Sequence, residues 1–279
     1  MDLVKLITIL PQNYLSYLTG QLLDIKWPGP VQRFLNKAFV MLFKIDMSEA
    51  EKDTASYESI TQLFTRRLKP GLRSAQKKIP FLSPCDGYLV RSEPLTSGQC
   101  LQVKGIYYDP EELILGFDEP VKKLGLSWYT TIYLAPHNYH RVHSPVTGQL
   151  LSITYLPGKL WPVNPRFTAV IPRLFCQNER LVFMIKSESC GIVYVVMVGA
   201  FNVGRMSTPY ADVVTNQLTP GIRGSVKLHN TSIHLKQGDE LGTFNLGSTV
   251  VMLFDPETVH HLGLRPCSEK DCQLGQELA

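Results

Sequence analysis

The chain has 279 residues, of which 44% are apolar and 19% charged, and a formal net charge of +4. This is enough apolar material for a sizeable core and excludes a disordered or low-complexity chain, while the small charge gives no argument for a nucleic-acid partner. Six cysteines, at positions 85, 100, 176, 190, 267 and 272, form no CxxC pair and no zinc spacing, so free thiols in a reducing compartment are expected.

The opening MDLVKLITILPQ holds an apolar run too short for a signal peptide, and Pro11 interrupts it. No stretch reaches the ~18 uninterrupted apolar residues of a membrane-spanning helix. A cytoplasmic protein with at most peripheral membrane contact is expected. Apolar residues recur at helical steps in Tyr14, Leu15, Leu18 and Leu22, and again in Phe34, Leu35, Ala38, Phe39, Leu42 and Phe43, with Pro28-Gly29-Pro30 between the runs. Ser56 to Leu68 repeats the pattern through Tyr57, Ile60, Leu63, Phe64 and Leu68, and Pro70-Gly71 stops it. Thr61 to Pro80 carries Arg66, Arg67, Lys69, Arg73, Lys77 and Lys78 without an acidic residue. Two readings stay open. The helices pack on a core, or their apolar faces dip into a bilayer while the basic stretch meets lipid headgroups at ~1 kcal/mol per well-placed cation.

After residue 80 the texture changes to short β-type runs punctuated by Gly and Pro: Tyr88 to Arg91, Trp128 to Leu134, Leu150 to Tyr155, Arg180 to Ile185, Ile192 to Val198 and Thr249 to Phe254. The expected fold class is α+β, with N-terminal amphipathic helices over 1–69 and a mostly β, barrel-like body over 70–279. Ser83-Pro84-Cys85-Asp86-Gly87 and Ser144-Pro145-Val146-Thr147-Gly148 each place Ser-Pro ahead of a Gly turn and a strand, which hints at repeated hairpins. Leu160, Trp161, Val163, Phe167, Val170, Ile171, Leu174 and Phe175 read either as the apolar rim of a site or as a buried loop.

Three places can carry chemistry: Asp86, the run His137 to His143, and Gly247-Ser248 at the head of a strand. Taken singly, an Asp-Gly pair is a turn and a Gly-Ser pair is a tight entry to a buried strand. His137, His140 and His143 are spaced like metal ligands, but Pro136 and Pro145 leave little room for a helix and no nearby Cys or carboxylate completes a zinc pattern. Acid–base work near neutral pH suits them better.

SPCDG, LAPHNYHRVHSPVTG, LFCQNERLV, VGAFNVG and FNLGSTVVMLF, in this order, resemble the bacterial and mitochondrial phosphatidylserine decarboxylases. The likeness extends upstream through LPQNYLSYLTG and DMSEAEKDTASYESITQLFTRRLKPGLR and fades after about His261. The resemblance implies a proenzyme that cuts itself between Gly247 and Ser248 into a large chain, 1–247, and a small chain, 248–279. It implies Ser248 as nucleophile, His143 as base, Asp86 as the orienter of His143, and His140 as the proton-transfer residue of decarboxylation. It further implies a covalent pyruvoyl group derived from Ser248, which takes phosphatidylserine to phosphatidylethanolamine through a Schiff base, with no metal. The implied partners are the lipid substrate, the anionic membrane surface and the two chains of one precursor. A homodimer is allowed, and the implied location is peripheral, on the cytoplasmic face of the cell membrane. Two rivals share these residues: a pyruvoyl-dependent decarboxylase of another amine, and a serine hydrolase using Asp86, His143 and Ser248. The second lacks a GxSxG elbow.

Overall fold

The structure is a computed structural model that describes residues 7, 10–73, 81–103, 105–115, 124–201, 205–216, 226–229 (backbone only), 233–245 and 248–278. The helical start is α1 (Gln12–Asp24), α2 (Gly29–Phe43), a 3-10 turn (Thr54–Ser56) and α3 (Ile60–Phe64). Expected helix over Ser56 to Leu68 is therefore cut to five residues. Ser59 caps it by accepting from Gln62 N at 3.2 Å, and Leu68 leaves it to bridge Ala50.

The two longer helices are inside out. α1 buries Gln12 and Ser16 and α2 buries Gln32 and Asn36, whereas Leu22, Phe34, Met41 and Leu42 stand 58%, 70%, 76% and 74% exposed. The buried amides hold α2 down: Gln32 donates to Asn36 Oδ1 at 2.7 Å, and Asn36 donates to the carbonyls of Thr54 and Tyr57 at 2.9 Å. Ordinary surface helices do the reverse, burying the apolar stripe. α1 reaches the body through Asn13, which donates to Gly158 O at 2.9 Å, and through an Asp24–Arg205 ion pair.

The body follows as β1 (Gly87–Pro94), β2 (Cys100–Val103), β3 (Ile106–Tyr108), α4 (Pro110–Leu115), β4 (Trp128–Tyr133), β5 (Arg141–His143), β6 (Gly148–Leu156), α5 (Pro165–Thr168), α6 (Leu174–Gln177), β7 (Arg180–Ser187) and β8 (Ile192–Val198). It is completed by β9 (Met206–Thr208), β10 (Ala211–Val214), β11 (Val226–His229), β12 (His234–Leu235), β13 (Glu240–Phe244), β14 (Thr249–Phe254), α7 (Pro256–Leu262) and β15 (Cys267–Cys272). Each of the six expected β runs is a strand. They sit in an antiparallel nine-stranded sheet ordered β11-β6-β7-β8-β14-β4-β1-β15, with β12 beside β6. A four-stranded sheet, β10-β9-β13-β5, packs with it; among the described residues the pairings run as open paths and do not close a barrel.

β14 is buried along its whole length because both faces of the large sheet are covered. Val250, Met252 and Phe254 join Leu181, Met197 and Ile132 on one side, and Val251 and Leu253 join Val182, Val196 and Tyr129 on the other. That is why its sequence reads as a continuous apolar run rather than an alternating one.

The two Ser-Pro segments form a pseudo-twofold crossing. Ser83 Oγ donates to Cys85 O at 2.8 Å and Ser144 Oγ to Val146 O at 2.7 Å. Leu82 N donates to Pro145 O and His143 N donates to Pro84 O, so the residue ahead of each Ser binds the Pro of the other segment. Ser83 N and Ser144 N donate to the carbonyls of Gln276 and Asp239. Gly87 and Gly148 then open β1 and β6 with no room for a side chain: a Cβ would lie 2.6 Å from Tyr133 O at the first and 2.2 Å from Lys186 O at the second. Gly148→Ala must displace backbone, and we expect it to cost ~1–3 kcal/mol. A urea titration checks this: the midpoint should fall with the slope unchanged.

Candidate active site

The crossing sets two of the expected residues side by side in the chain path, since His143, the last residue of β5, bonds through its backbone to Pro84, two residues ahead of Asp86. Asp86 is 7% exposed and accepts from Leu274 N at 2.8 Å and from Arg73 Nη2 at 3.2 Å. Arg73 also grips Glu49 with both terminal nitrogens, at 2.9 and 2.7 Å. Burial works against the Arg73 charge, but the carboxylates of Glu49 and Asp86 outweigh it and hold the guanidinium firmly protonated. The counterpart of Asp86 in the other segment is Thr147, whose Oγ1 accepts the equivalent backbone bond, from Gln237 N at 3.1 Å, and no other among the described residues. The acid is thus where the two halves of the crossing differ.

His143 Nδ1 lies 2.7 Å from Gly238 O, and Nε2 lies 3.2 Å from the Tyr139 hydroxyl. A carbonyl can only accept, so Nδ1 carries the hydrogen and the Nε2 lone pair faces Tyr139. Burial lowers the His143 pKa, against upward pulls from the Gly238 bond and the charges of Glu240 and Asp86, and the ring is a neutral proton acceptor at pH 7. The hydrogen bond that fixes its tautomer comes from Gly238, and Asp86 acts on it through charge. Arg73, Tyr139, His143, Gly238 and Glu240 line a common cavity of about 690 Å³.

Ser248 and His140 lie apart from that cavity's lining, and both are 0% exposed. The 134–140 loop is tied at both ends: Leu134 N donates to Ser248 O at 2.8 Å and Phe244 N donates to His140 O at 2.9 Å. The His140 ring packs on Phe64 with centroids 4.0 Å apart. Burial, with Arg66 adding to it, holds His140 well below the usual histidine range against a weaker upward pull from the nearby Asn138 carbonyl, which lies outside hydrogen-bond geometry, so it too is neutral. Among the described residues neither of its ring nitrogens has a hydrogen-bond partner, and neither does Ser248 Oγ. Each such buried group costs of order 1–3 kcal/mol, a cost seen at sites that await a reaction or ligand. No hydrogen bond among the described residues joins Ser248, His143 and Asp86 to one another, and Gly247 lies outside the described residues. His137 is exposed, so the three histidines occupy three environments.

Two expectations change. Arg66 and Arg73 do not face headgroups: Arg66 is 4% exposed beneath the 134–140 loop, and Arg73 is committed to Glu49 and Asp86. Charge counting along a sequence does not show which cations fold inward. Lys77 and Lys78 lie outside the described residues. The apolar 160–175 segment is core rather than rim, with Leu160, Trp161, Phe167, Leu174 and Phe175 buried and Val170 exposed. All six cysteines are free thiols.

Comparison with known proteins places these residues in context. The family model for phosphatidylserine decarboxylase matches residues 60–279. The phosphatidylserine decarboxylase proenzyme of Myxococcus xanthus is 40% identical over 92% of this chain and 90% of its own length. Proenzymes of the same name from Shewanella denitrificans and Brevibacillus brevis are 34% and 38% identical, over 100% and 90% of this chain and 98% and 88% of their own.

The chain belongs to the phosphatidylserine decarboxylase family. It is therefore an enzyme of the carboxy-lyase class. The family match runs to residue 279, past the point near His261 where the motif likeness fades, and takes in Asp86, His140, His143 and Ser248. Tyr139 and Gly238, which hold His143, carry no signal of their own in the sequence. Among the described residues no helix is long and apolar enough to cross a membrane. A keto group made from residue 248 fits the site, because the Ser248 hydroxyl is fully buried and without a hydrogen-bond partner among the described residues.

Proposed function

We propose that this chain is a precursor that cuts its own Gly247–Ser248 bond and, as the pyruvoyl enzyme, decarboxylates phosphatidylserine to phosphatidylethanolamine. The observation that carries the reading is that, in a chain of a decarboxylase family, the Ser248 hydroxyl and the His140 imidazole are both fully buried with no hydrogen-bond partner among the described residues.

A serine hydroxyl is a weak nucleophile until a base takes its proton. His143 is that base, with Nδ1–H held by Gly238 and the negative charge of Asp86 favouring the imidazolium that forms. Taking it up requires Nε2 to exchange the Tyr139 hydroxyl for the serine. Ser248 Oγ then adds to the Gly247 carbonyl carbon, the C–N bond breaks, and the amide becomes an ester. Loss of the Ser248 α-proton expels the Gly247 carboxylate from Cβ, and hydrolysis of the resulting enamine releases ammonia and leaves the keto group. When present, that group supplies an electrophile for the substrate amine and a sink for the electron pair left by carbon dioxide. His140, neutral in the resting enzyme and shielded from water, takes up the proton that the substrate ammonium gives up and, as the imidazolium, returns it to the carbon that the carboxyl leaves.

The cut does not free the small chain. Its first strand, β14, is paired along its length with β8 on one side and β4 on the other, and β15 pairs with β1. Intact mass spectrometry of the purified wild-type protein tests the reading: two chains are expected, 1–247 and 248–279, the second beginning with a keto terminus. An active protein that is unbroken, with an ordinary serine at 248, sinks it.

Residues 1–69 are the membrane-associating part. Their inverted helices present Leu22, Phe34, Met41 and Leu42 outward while polar side chains bind the body. Such a face is costly in water and suits the acyl boundary of a bilayer, which places the enzyme peripherally on the membrane that holds its substrate. Phe34→Glu with Met41→Glu, on one face of α2, is expected to lower partition onto anionic vesicles at least a hundredfold, from ~1.5–3 kcal/mol per apolar side chain. Vesicle sedimentation measures it, and melting should not change because both side chains are exposed.

A further inference from the structure

Arg66 is a buried cation with no ion pair among the described residues. It is 4% exposed, and Nη2 donates to the carbonyls of His137 and Asn138 at 3.0 and 3.3 Å, while among the described residues Nε and Nη1 have no partner. Of the carboxylates whose charge reaches it, Glu49 and Asp86 are already taken by Arg73, and the exposed Asp46 accepts from Ser48 N. Natural proteins rarely bury an unpaired guanidinium, since desolvating the charge is expensive unless an anion completes it. The two carbonyls it holds belong to the loop that ends in His140. Phe64, two residues before Arg66, forms the surface on which the His140 ring lies. Arg66 and His140 are thus parts of one buried cluster, both with unused hydrogen-bonding atoms, and the positive charge of Arg66 is felt at His140.

We propose that Arg66 is the subsite for the carboxylate of the substrate's amino-acid head. This deepens the reading above and rests on it. With Nη2 on the loop carbonyls, Nη1 keeps both of its N–H groups for a carboxylate oxygen, and Nε–H points to the other side of the guanidinium. Held there, the carboxyl carbon sits by His140, which then serves the carbon that the carboxyl leaves. The lipid phosphate shares the oxyanion chemistry, and the two sources separate cleanly because phosphatidylethanolamine keeps the phosphate and amine but lacks the carboxylate.

The test compares Arg66→Lys and Arg66→Met with wild type, using dioctanoyl phosphatidylserine and dioctanoyl phosphatidylethanolamine. Intact mass first reports cleavage, which tests the parent reading alone. On a His140→Ala background, which is expected to cleave but to turn the serine lipid over too slowly to convert it, borohydride trapping of each lipid on the small chain, read as added mass against lipid concentration, then gives each apparent affinity. For the serine lipid, half-saturation is expected to rise about ten- to a hundredfold in Arg66→Met, the worth of a charged hydrogen-bond pair. Arg66→Lys should fall between, and the ethanolamine lipid should trap as in wild type. Equal weakening of both lipids assigns Arg66 to the phosphate and overturns the proposal, as does unchanged trapping of both. If a variant does not cleave, the same two lipids are titrated by calorimetry onto Ser248→Ala with and without Arg66→Met. Loss confined to the serine lipid supports the subsite, and any other pattern rejects it.

Discussion

Ser248→Ala is expected to remain one unbroken chain with no decarboxylase activity. The hydroxyl is both the attacking group and the leaving oxygen of the elimination, so without it neither the cut nor the keto group can arise. The structure makes this a clean test. Ser248 is 0% exposed and its Oγ is unpartnered among the described residues, so alanine removes a buried polar atom that the fold does not use. Losing such an atom should stabilise the uncleaved chain by ~1–3 kcal/mol rather than damage it. Against uncleaved His143→Ala, Ser248→Ala should therefore melt higher while being equally inactive. Two chains by intact mass in Ser248→Ala would defeat the assignment of the nucleophile.

The strands were legible because their burial is written in composition. β14 is apolar at nearly every step, as a strand covered on both faces must be, and β8 is read the same way. The repeat of Ser-Pro and Gly was visible only faintly, since five-residue matches are common; its meaning is the reciprocal bonding of Pro84 and Pro145, which joins segments far apart in the chain. The N-terminal helices were legible as helices but not in orientation, because an apolar stripe does not say whether it meets a core or a membrane. Buried Gln32 and Asn36 show that the stripe of the second helix does not meet this chain's core, and nothing in the sequence marks them.

The site was half legible. Asp86, His140, His143 and Ser248 follow from motif likeness, but the partners that give His143 its tautomer do not, because Gly238 is 95 residues away and contributes only a carbonyl. Arg66 was read as one cation of a basic stretch, when Arg67 and Lys69 beside it are exposed and it lies within. Its burial follows from α3 ending at Phe64, which turns the chain under the 134–140 loop.

His143→Ala and His140→Ala are expected to fail in different ways. His143→Ala removes the base and should leave the precursor uncleaved, a loss as complete as that of Ser248→Ala. His140→Ala should cleave normally, because the imidazole fixed by Gly238 and influenced by Asp86 is the one at position 143, while carbon dioxide release falls ~10²–10⁴-fold, the usual worth of a positioned proton donor. Both rings are neutral at pH 7, so charge does not separate their roles; surroundings do. His143 borders an open cavity and already exchanges a hydrogen bond with Tyr139, as a base that must let its proton move requires. His140 is sealed under Phe64 with Arg66 beside it, as a group that must reprotonate a carbanion away from water requires. Intact mass and carbon dioxide release on the same two preparations decide the matter. An uncleaved His140→Ala chain whose melting is intact would show that the orphan imidazole serves the cut, and the assignment of the two histidines would have to be exchanged.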